Sequence, residues 1–258
     1  MLVLPLAVLL SATPPSLEGW SRRACPPPKQ TPESNVELKV MEEQHAECLR
    51  KAMERALGKA LLTLKKSRPA AVQQAVALQA DYDRWVVEAC STLEEANWVD
   101  LTSGERSMGT GYGFTMSECR QRQYSWRGFY ADIWARGHWS ALDAVFRAQG
   151  GPAETTRQSL LDYRDRARRS AARAPAQAAV RASALPQRKL SREDWKTYLE
   201  RLDRAIAGPE GLARRQCALL PTAPEDCTQR LADSLVAQLD FPEALRASSR
   251  HPPARSEP

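Results

Sequence analysis

The stretch "GERSMGTGYGFTMSECRQRQYSWRGFYADIW", residues 104–134, decides between a phosphate-binding loop and a disulfide-stabilised helical scaffold. Its glycines alternate, as Gly109, Gly111 and Gly113. A dinucleotide-binding fingerprint needs the third glycine one position later, where Phe114 stands, and a Walker loop needs Gly-Lys-Ser/Thr at its end. Neither pattern is present here. The glycines therefore predict a hinge that gives the backbone freedom just before a helix begins.

The residues after this hinge predict a helix with a buried aromatic side. Thr115 and Glu118 have the spacing of a capping box, which predicts that the helix begins at Thr115. Large side chains at helical spacing are core far more often than a ligand box, so we expect this side to be buried. The side comprises Cys119, Trp126, Tyr130, Ile133 and Trp134.

Two further helices are predicted upstream. Apolar residues recur at steps of three and four over residues 36–66, after a possible cap at Ser34 or Asn35. A second periodic pattern starts at Pro69, which suits the first turn of a helix, and runs to about residue 93. The three helices predict an all-α, disulfide-stabilised three-helix bundle over residues 25–148.

The charge of the chain is concentrated in one segment. The 258 residues carry a net charge of +6, yet residues 25–148 hold sixteen Lys and Arg against sixteen Asp and Glu. Residues 157–192 hold ten Lys and Arg against two Asp. This basic segment is typical either of docking on an anionic polymer or membrane surface, or of a solvated helix and linker. Aromatic residues for base stacking are not interleaved with the charges, which favours the solvated helix.

The beginning of the chain predicts export. The apolar stretch "MLVLPLAVLLSA" is too short to span a bilayer but suits a signal-peptide core, with Ala12 or Thr13 as cleavage candidates. Residues 1–24 are therefore predicted to be a signal peptide and leader, and the protein to be periplasmic or extracellular. Arg22 and Arg23 do not suit the region before a lipidated cysteine, which argues against a lipid anchor at Cys25.

The cysteines predict disulfides. An even number behind an export signal favours pairing over reactive thiols, and no Cys-x-x-Cys motif is present. The six are Cys25, Cys48, Cys90, Cys119, Cys217 and Cys227. His45 and Cys48 form an isolated pair of possible ligands, which falls short of the four that a structural zinc site needs, so neither metal nor cofactor is expected.

The second half of the chain is predicted to be a separate unit. Prolines and glycines (Gly150-Gly151-Pro152, Pro175 and Pro186) indicate a basic helix and semi-flexible linker over residues 149–190. A small helical hairpin follows over residues 191–246. Its first helix is predicted to start at a capping box of Ser191 and Asp194 and to stop at Gly208, and its second to cover about residues 225–239. The tail, residues 247–258, is predicted to be disordered.

Cysteine spacing and helix order together resemble a known family. "EEQHAEC", ending at Cys48, "QADYDRWVVEAC", from Gln79 to Cys90, the glycine loop and Cys119 resemble the lysozyme-inhibitor-like domain of the bacterial LprI-type proteins. The resemblance covers about residues 25–148. Gln79, Tyr82, Trp85 and the three glycines are its signature positions. Val86 and Val87 replace the Arg-Asp pair of the family.

This resemblance implies a non-enzymatic envelope protein that binds, and in some members inhibits, a lysozyme-like hydrolase. The alternative is an envelope scaffold whose basic segment docks on an anionic surface. An enzyme is the weakest hypothesis, because the histidines at 45, 138 and 251 are scattered and no Gly-x-Ser-x-Gly elbow appears.

The helix order also predicts the disulfide pairing. An antiparallel return through the glycine hinge brings Cys119 beside Cys90, and closing this loop is worth about 3–4 kcal/mol on the chain-entropy model. Cys25 then pairs with Cys48, and Cys217 with Cys227. The rival pairing, Cys48 with Cys90, is also possible between antiparallel helices, so the sequence alone leaves both open.

Overall fold

A computed structural model describes the backbone of residues 16–137, 139–176, 179–181, 187–220 and 226–241. The side chains of residues 139–151, 179–181 and 187 are not described. The predicted signal-peptide core, His138, His251 and the predicted tail lie outside the described residues.

Helices dominate the described part of the chain, which confirms the all-α, disulfide-stabilised fold. The helices are α1 (Leu17–Ala24), α2 (Asn35–Ser67), α3 (Val72–Ala96), α4 (Phe114–Arg136), α5 (Trp139–Ala171), α6 (Arg192–Ala218) and α7 (Cys227–Ala237). A 3-10 turn, Pro69–Ala71, joins α2 to α3. The short strands are β1 (Val99–Asp100), β2 (Glu105–Ser107), β3 (Ala179–Arg181) and β4 (Gln187–Lys189).

Helices α2, α3 and α4 form the predicted three-helix arrangement. Helices α2 and α4 run in the same direction. Gln121 Nε2 donates to the Glu42 carbonyl oxygen near their first turns (3.1 Å), and Thr63 Oγ1 donates to the Ala135 carbonyl oxygen near their last (3.3 Å). The predicted aromatic side of α4 is core, with Trp126 and the neighbouring Tyr130, Ile133 and Trp134 at most 4% exposed.

Helix α1 packs on this three-helix arrangement. Trp20 of α1 is buried against Gly128 of α4, where an added Cβ would stand 2.2 Å from the indole ring. The predicted leader, residues 1–24, therefore includes a helix that packs on α4. Trp20 fits against α4 because Gly128 has no side chain. Local periodicity does not show this contact between distant residues.

The predicted disulfide pairing is confirmed. Cys25 is bonded to Cys48 with their Cα atoms 6.0 Å apart, Cys90 to Cys119 at 5.5 Å, and Cys217 to Cys227 at 6.0 Å. These separations lie in the ordinary range for disulfides. The rival Cys48–Cys90 pairing is excluded, because both sulfurs are bonded elsewhere.

The predicted stop of α6 at Gly208 is wrong, because this helix continues through Gly208 and Pro209 to Ala218. A Cβ at Gly208 would lie 2.3 Å from Trp85 Cδ1, so the glycine admits the indole ring of α3. Pro209 lacks the N–H that would bond to the carbonyl oxygen of Ala205. The indole Nε1 of Trp85 donates to that oxygen instead, at 3.2 Å.

The two halves of the chain share one core, and residues 177–178 and 182–186 of the predicted linker lie outside the described residues. Helix α5 is continuous across Gly150-Gly151-Pro152, so the boundary at 148 falls inside a helix. The strands form one sheet in the order β1-β2-β4-β3, and Glu105 of β2 pairs with Lys189 of β4. A single hydrophobic cluster runs from Trp20 to Phe241. Non-local strand pairing and helix packing thus override the local effect of the prolines.

Candidate functional site

The signature positions Gln79, Tyr82 and Trp85 are brought together on the buried side of α3. Their exposed fractions are 8%, 2% and 7%. Tyr82 donates its hydroxyl to the Gln123 carbonyl oxygen at 2.8 Å, and Gln123 Nε2 donates to the Leu235 carbonyl oxygen at 3.0 Å. These contacts tie α3 to α4 and α7. The signature side chains of α3 therefore hold helices together rather than face a ligand.

A buried guanidinium lies at the centre of this network. Arg127, 4% exposed, donates from Nε to Gln79 Oε1 (3.0 Å) and from Nη1 to Gln216 Oε1 (2.8 Å). Its guanidinium lies over the rings of Tyr82 and Tyr130, at 5.1 and 5.7 Å from their centroids. Burial lowers the pKa of Arg127, and no carboxylate of the described residues forms an ion pair with it. The π faces and amide oxygens stabilise the cation.

The sequence analysis did not identify Arg127 as buried. Its position between Trp126 and Tyr130, on a helix with a buried aromatic side, is a signal that could have indicated this.

The glycine loop packs on a tryptophan. A Cβ at Gly109 would lie 3.0 Å from the ring of Trp98, and one at Gly111 would lie 3.7 Å away. Gly113 has φ 106°, which favours glycine, and it is the N-cap of α4. The loop thus lets the chain pass close to Trp98 and turn into α4, which agrees with a structural use of these glycines.

The predicted capping box at Thr115 and Glu118 is wrong. Gly113, the N-cap, has no side chain to accept a hydrogen bond. The carboxylate of Glu94, which lies on α3, caps α4 instead. Glu94 accepts from the backbone N–H groups of Gly113 and Met116, at 2.7 and 2.9 Å, and from the Trp98 indole at 2.7 Å.

An exposed acidic surface lies at the start of α2. Residues 33–47, the acidic segment, contain five glutamates and one lysine, whereas residues 50–68 contain seven Lys and Arg and one glutamate. Val36, Val40, Glu43 and Glu47 follow one another at helical steps, and the two valines are 71% and 50% exposed. The hydrogen bond from Arg50 lowers the pKa of Glu47 to about 2, so this carboxylate stays charged in ordinary buffers.

The acidic segment borders an open groove of about 410 Å³. One wall comes from the proline-rich lead into α2 and the other from the helix, and the Cys25–Cys48 disulfide joins the two. The lining includes Pro26, Pro28, Met41, Gln44, His45 and Cys48. His45 therefore lies in a surface groove together with Cys48, whose sulfur is held in a disulfide. The lining also includes Lys29 and Gln30, so the groove itself is mixed polar and apolar, and the glutamates of the acidic segment lie beside it rather than in its lining.

Four of the eight arginines of the basic segment whose side chains are described form ion pairs. Arg157 pairs with Asp233 of α7 at 2.6 Å, Arg168 with Asp203 of α6 at 3.1 Å, and Arg188 with Asp194 at 2.9 Å. The net charge of residues 157–192 does not reveal these three ion pairs, because their carboxylates lie outside that segment. The local excess of positive charge is therefore smaller in the fold than along the chain.

Among the described residues, no group of three or more His, Cys, Asp or Glu is placed to hold a metal ion. No helix in that part of the chain is long and apolar enough to cross a membrane.

Comparison with known proteins gave no match to a family model, to a curated protein or to a solved structure.

Proposed function

We propose that this chain is an exported, disulfide-stabilised binding protein of the bacterial cell envelope, which captures a lysozyme-like hydrolase without catalysing a reaction itself. The observation that carries the proposal is the acidic segment, residues 33–47, beside an open groove of mixed polar and apolar lining on an otherwise basic protein. The resemblance of residues 25–148 to the LprI-type domain supports the choice of partner.

Charge segregation supports a cationic partner. Residues 25–148 are neutral as a whole, which by itself offers no attraction to a cationic hydrolase. Separation of the charge into acidic and basic halves of α2 gives one end of the helix a negative field, and such a field speeds association with a positive surface. Val36 and Val40 add apolar area that a docked partner would bury.

Export is supported by the apolar start of the chain and by the disulfides. Disulfides persist in oxidising compartments such as the periplasm or the extracellular space. The sulfur of Cys25 is bonded to Cys48, which argues against its use as a lipid anchor.

The test is binding of the oxidised full chain to a cationic animal lysozyme, followed as association rate and as muramidase inhibition. Charge reversal at two exposed positions of the acidic segment, Glu33→Lys with Glu43→Lys, should lower the association rate about tenfold at low salt. The control, Glu193→Lys with Glu210→Lys on α6, makes the same change of net charge elsewhere and should have a smaller effect.

No binding at micromolar protein would refute the hydrolase as partner. Binding that responds equally to both pairs of substitutions would refute the acidic segment as the docking surface.

The alternative proposal is docking of the basic segment on an anionic surface. Arg157, Arg168 and Arg188 are paired with carboxylates, as Glu43 and Glu47 of the acidic segment are with Arg120 and Arg50, so the resemblance to the LprI-type domain is what favours the hydrolase proposal. A steep loss of affinity for an anionic polymer with rising salt would support it, and no binding at low salt would refute it.

A further inference from the structure

A pocket of about 210 Å³ lies where the two halves of the chain meet at the small sheet. Thr102 and Gly104 come from the turn between β1 and β2, and Arg173 from the segment after α5. Lys189 ends β4, and Trp195 lies in the first turns of α6. We call this site the polar pocket. Because its walls come from four separate places in the sequence, no local motif could have indicated it.

The two cations of the polar pocket differ from the paired arginines around them. Arg173 is exposed, and among the described residues its Nη2 donates to Ser170 Oγ alone, at 3.3 Å. Lys189 is exposed and takes part in none of the ion pairs of the described residues. The turn carboxylate Asp100 accepts from the Thr102 N–H at 2.7 Å and from Ser103 Oγ at 2.9 Å, and Glu105 lies opposite Lys189 in the pairing of β2 with β4 without forming an ion pair with it among the described residues. Both cations are therefore available to an anion from outside.

The floor of the pocket provides an indole hydrogen-bond donor, that of Trp195. Trp195 is 1% exposed, and no acceptor among the described residues bonds its indole N–H. The N–H edge faces Gly104, where a Cβ would lie 3.9 Å from Nε1. Gly104 has φ 70°, a conformation that favours glycine, so the space beside the indole stays open.

We propose that the polar pocket binds the phosphate ester group of a polyol, such as one unit of an anionic envelope glycopolymer. Arg173 and Lys189 offer charged donors, Thr102 a hydroxyl, and Trp195 an indole N–H. This set of donors matches a phosphate group with several acceptor oxygens. The volume exceeds that of a phosphate ion and leaves room for the attached polyol beside the apolar floor. The proposal goes beyond hydrolase binding and does not depend on it.

The test follows the indole ¹H–¹⁵N signal of Trp195 in the full oxidised chain during titration with glycerol 3-phosphate, with the signal assigned by Trp195→Phe. We expect a saturable shift by about 10 mM ligand. Arg173→Gln with Lys189→Gln should weaken binding at least about tenfold. The matched control, Arg169→Gln with Lys196→Gln, removes the same charge from exposed positions outside the lining and should leave binding unchanged.

Separate titrations identify the ligand chemistry. Binding of glycerol 3-phosphate that is tighter than that of inorganic phosphate supports a polyol phosphate, whereas equal affinity refutes the polyol part of the proposal. A response to glycerol alone, or an equal loss of binding in the control pair, would overturn the anion site. No shift of the Trp195 signal in the folded chain would overturn the pocket itself.

Discussion

At the scale of single residues, the most informative side chain is Glu94, a carboxylate that is 1% exposed. It lies on α3 but accepts hydrogen bonds from the first N–H groups of α4, where the helix dipole also favours negative charge. Glu118, the residue that local spacing predicts for this purpose, is instead exposed and lies 3.9 Å from Arg122. Burial and the donors around Glu94 therefore decide which of the two carboxylates is structurally important.

Glu94→Ala should lower the free energy of unfolding by about 2–3 kcal/mol, since it leaves three donors without their charged acceptor. Glu118→Ala, the matched control in the predicted capping box, should change it by less than about 0.5 kcal/mol. Urea unfolding followed by circular dichroism measures both. A larger loss for Glu118 than for Glu94 would contradict the assignment of the cap.

The tyrosines give a second residue-scale expectation, about alkaline pH. Burial raises the pKa of Tyr82, Tyr124, Tyr163 and Tyr198, and it raises the pKa of Tyr130 to about 12. The folded state thus favours the protonated phenols. Their contribution to stability is complete below the unfolded pKa of about 10 and is lost as pH rises above it.

Stability should therefore fall between about pH 10 and pH 12, by up to about 1.4 kcal/mol per pH unit for each of these tyrosines. Phenolate absorbance of the folded protein should lag behind that of the chain in denaturant over the same range. Coincident titration of the folded and unfolded chains, with the helical circular dichroism intact, would show that the tyrosines are not buried as described.

At the scale of elements, the packing of α6 on α3 explains the Gly208-Pro209 pair inside a helix. Trp85 occupies the space that Gly208 leaves and bonds to the carbonyl oxygen that Pro209 leaves without a partner. Ion pairs of Arg204 with Glu88 and of Arg201 with Glu95 lie along the same contact. A glycine and a proline that would ordinarily weaken a helix are thus compensated by its neighbour.

Gly208→Ala should destabilise the protein by about 1–3 kcal/mol, because the new methyl group would overlap the indole ring of Trp85. Gly211→Ala is the matched control in the same helix, where nothing lies within 4 Å of the added Cβ. It should stabilise by about 0.5–1 kcal/mol through helix propensity alone. Thermal and urea unfolding measure both. Equal effects of the two substitutions would contradict the close contact of α3 with α6.

At the scale of the whole molecule, both halves of the chain contribute to one hydrophobic cluster. Strand β4 pairs with β2, and Leu190 donates its N–H to the Gly104 carbonyl oxygen at 2.9 Å. Removing residues after 148 would expose the face of α3 that carries Trp85. The first half is therefore part of a larger folding unit rather than a free-standing domain.

We expect a single cooperative thermal transition for the full oxidised chain, with equal calorimetric and van't Hoff enthalpies. A fragment ending at residue 148 should lose this cooperativity, since its α3 surface would lack α6. Scanning calorimetry of both proteins is the measurement. Two resolved transitions of the full chain would instead support independent halves joined by a linker.

The sequence by itself determined the all-α class, the approximate position of most helices and the pairing of the cysteines down to two alternatives. The predicted range 36–66 became α2, Asn35–Ser67, and the capping box of Ser191 and Asp194 is present at the start of α6. The disulfide Cys90–Cys119 also follows the predicted antiparallel return. Helical periodicity, caps and short loop closures are encoded by residues near one another, so local patterns are sufficient to find them.

Only the tertiary structure decided how these elements combine. The uses of Glu94 and Gly208, the burial of Arg127, the pairing of β2 with β4 and the polar pocket each join residues far apart in the chain. Their energies come from close packing, desolvation and hydrogen bonds between distant segments. A local sequence pattern does not record which distant side chain will fill a space or supply an acceptor, and the candidate binding sites arise from such choices.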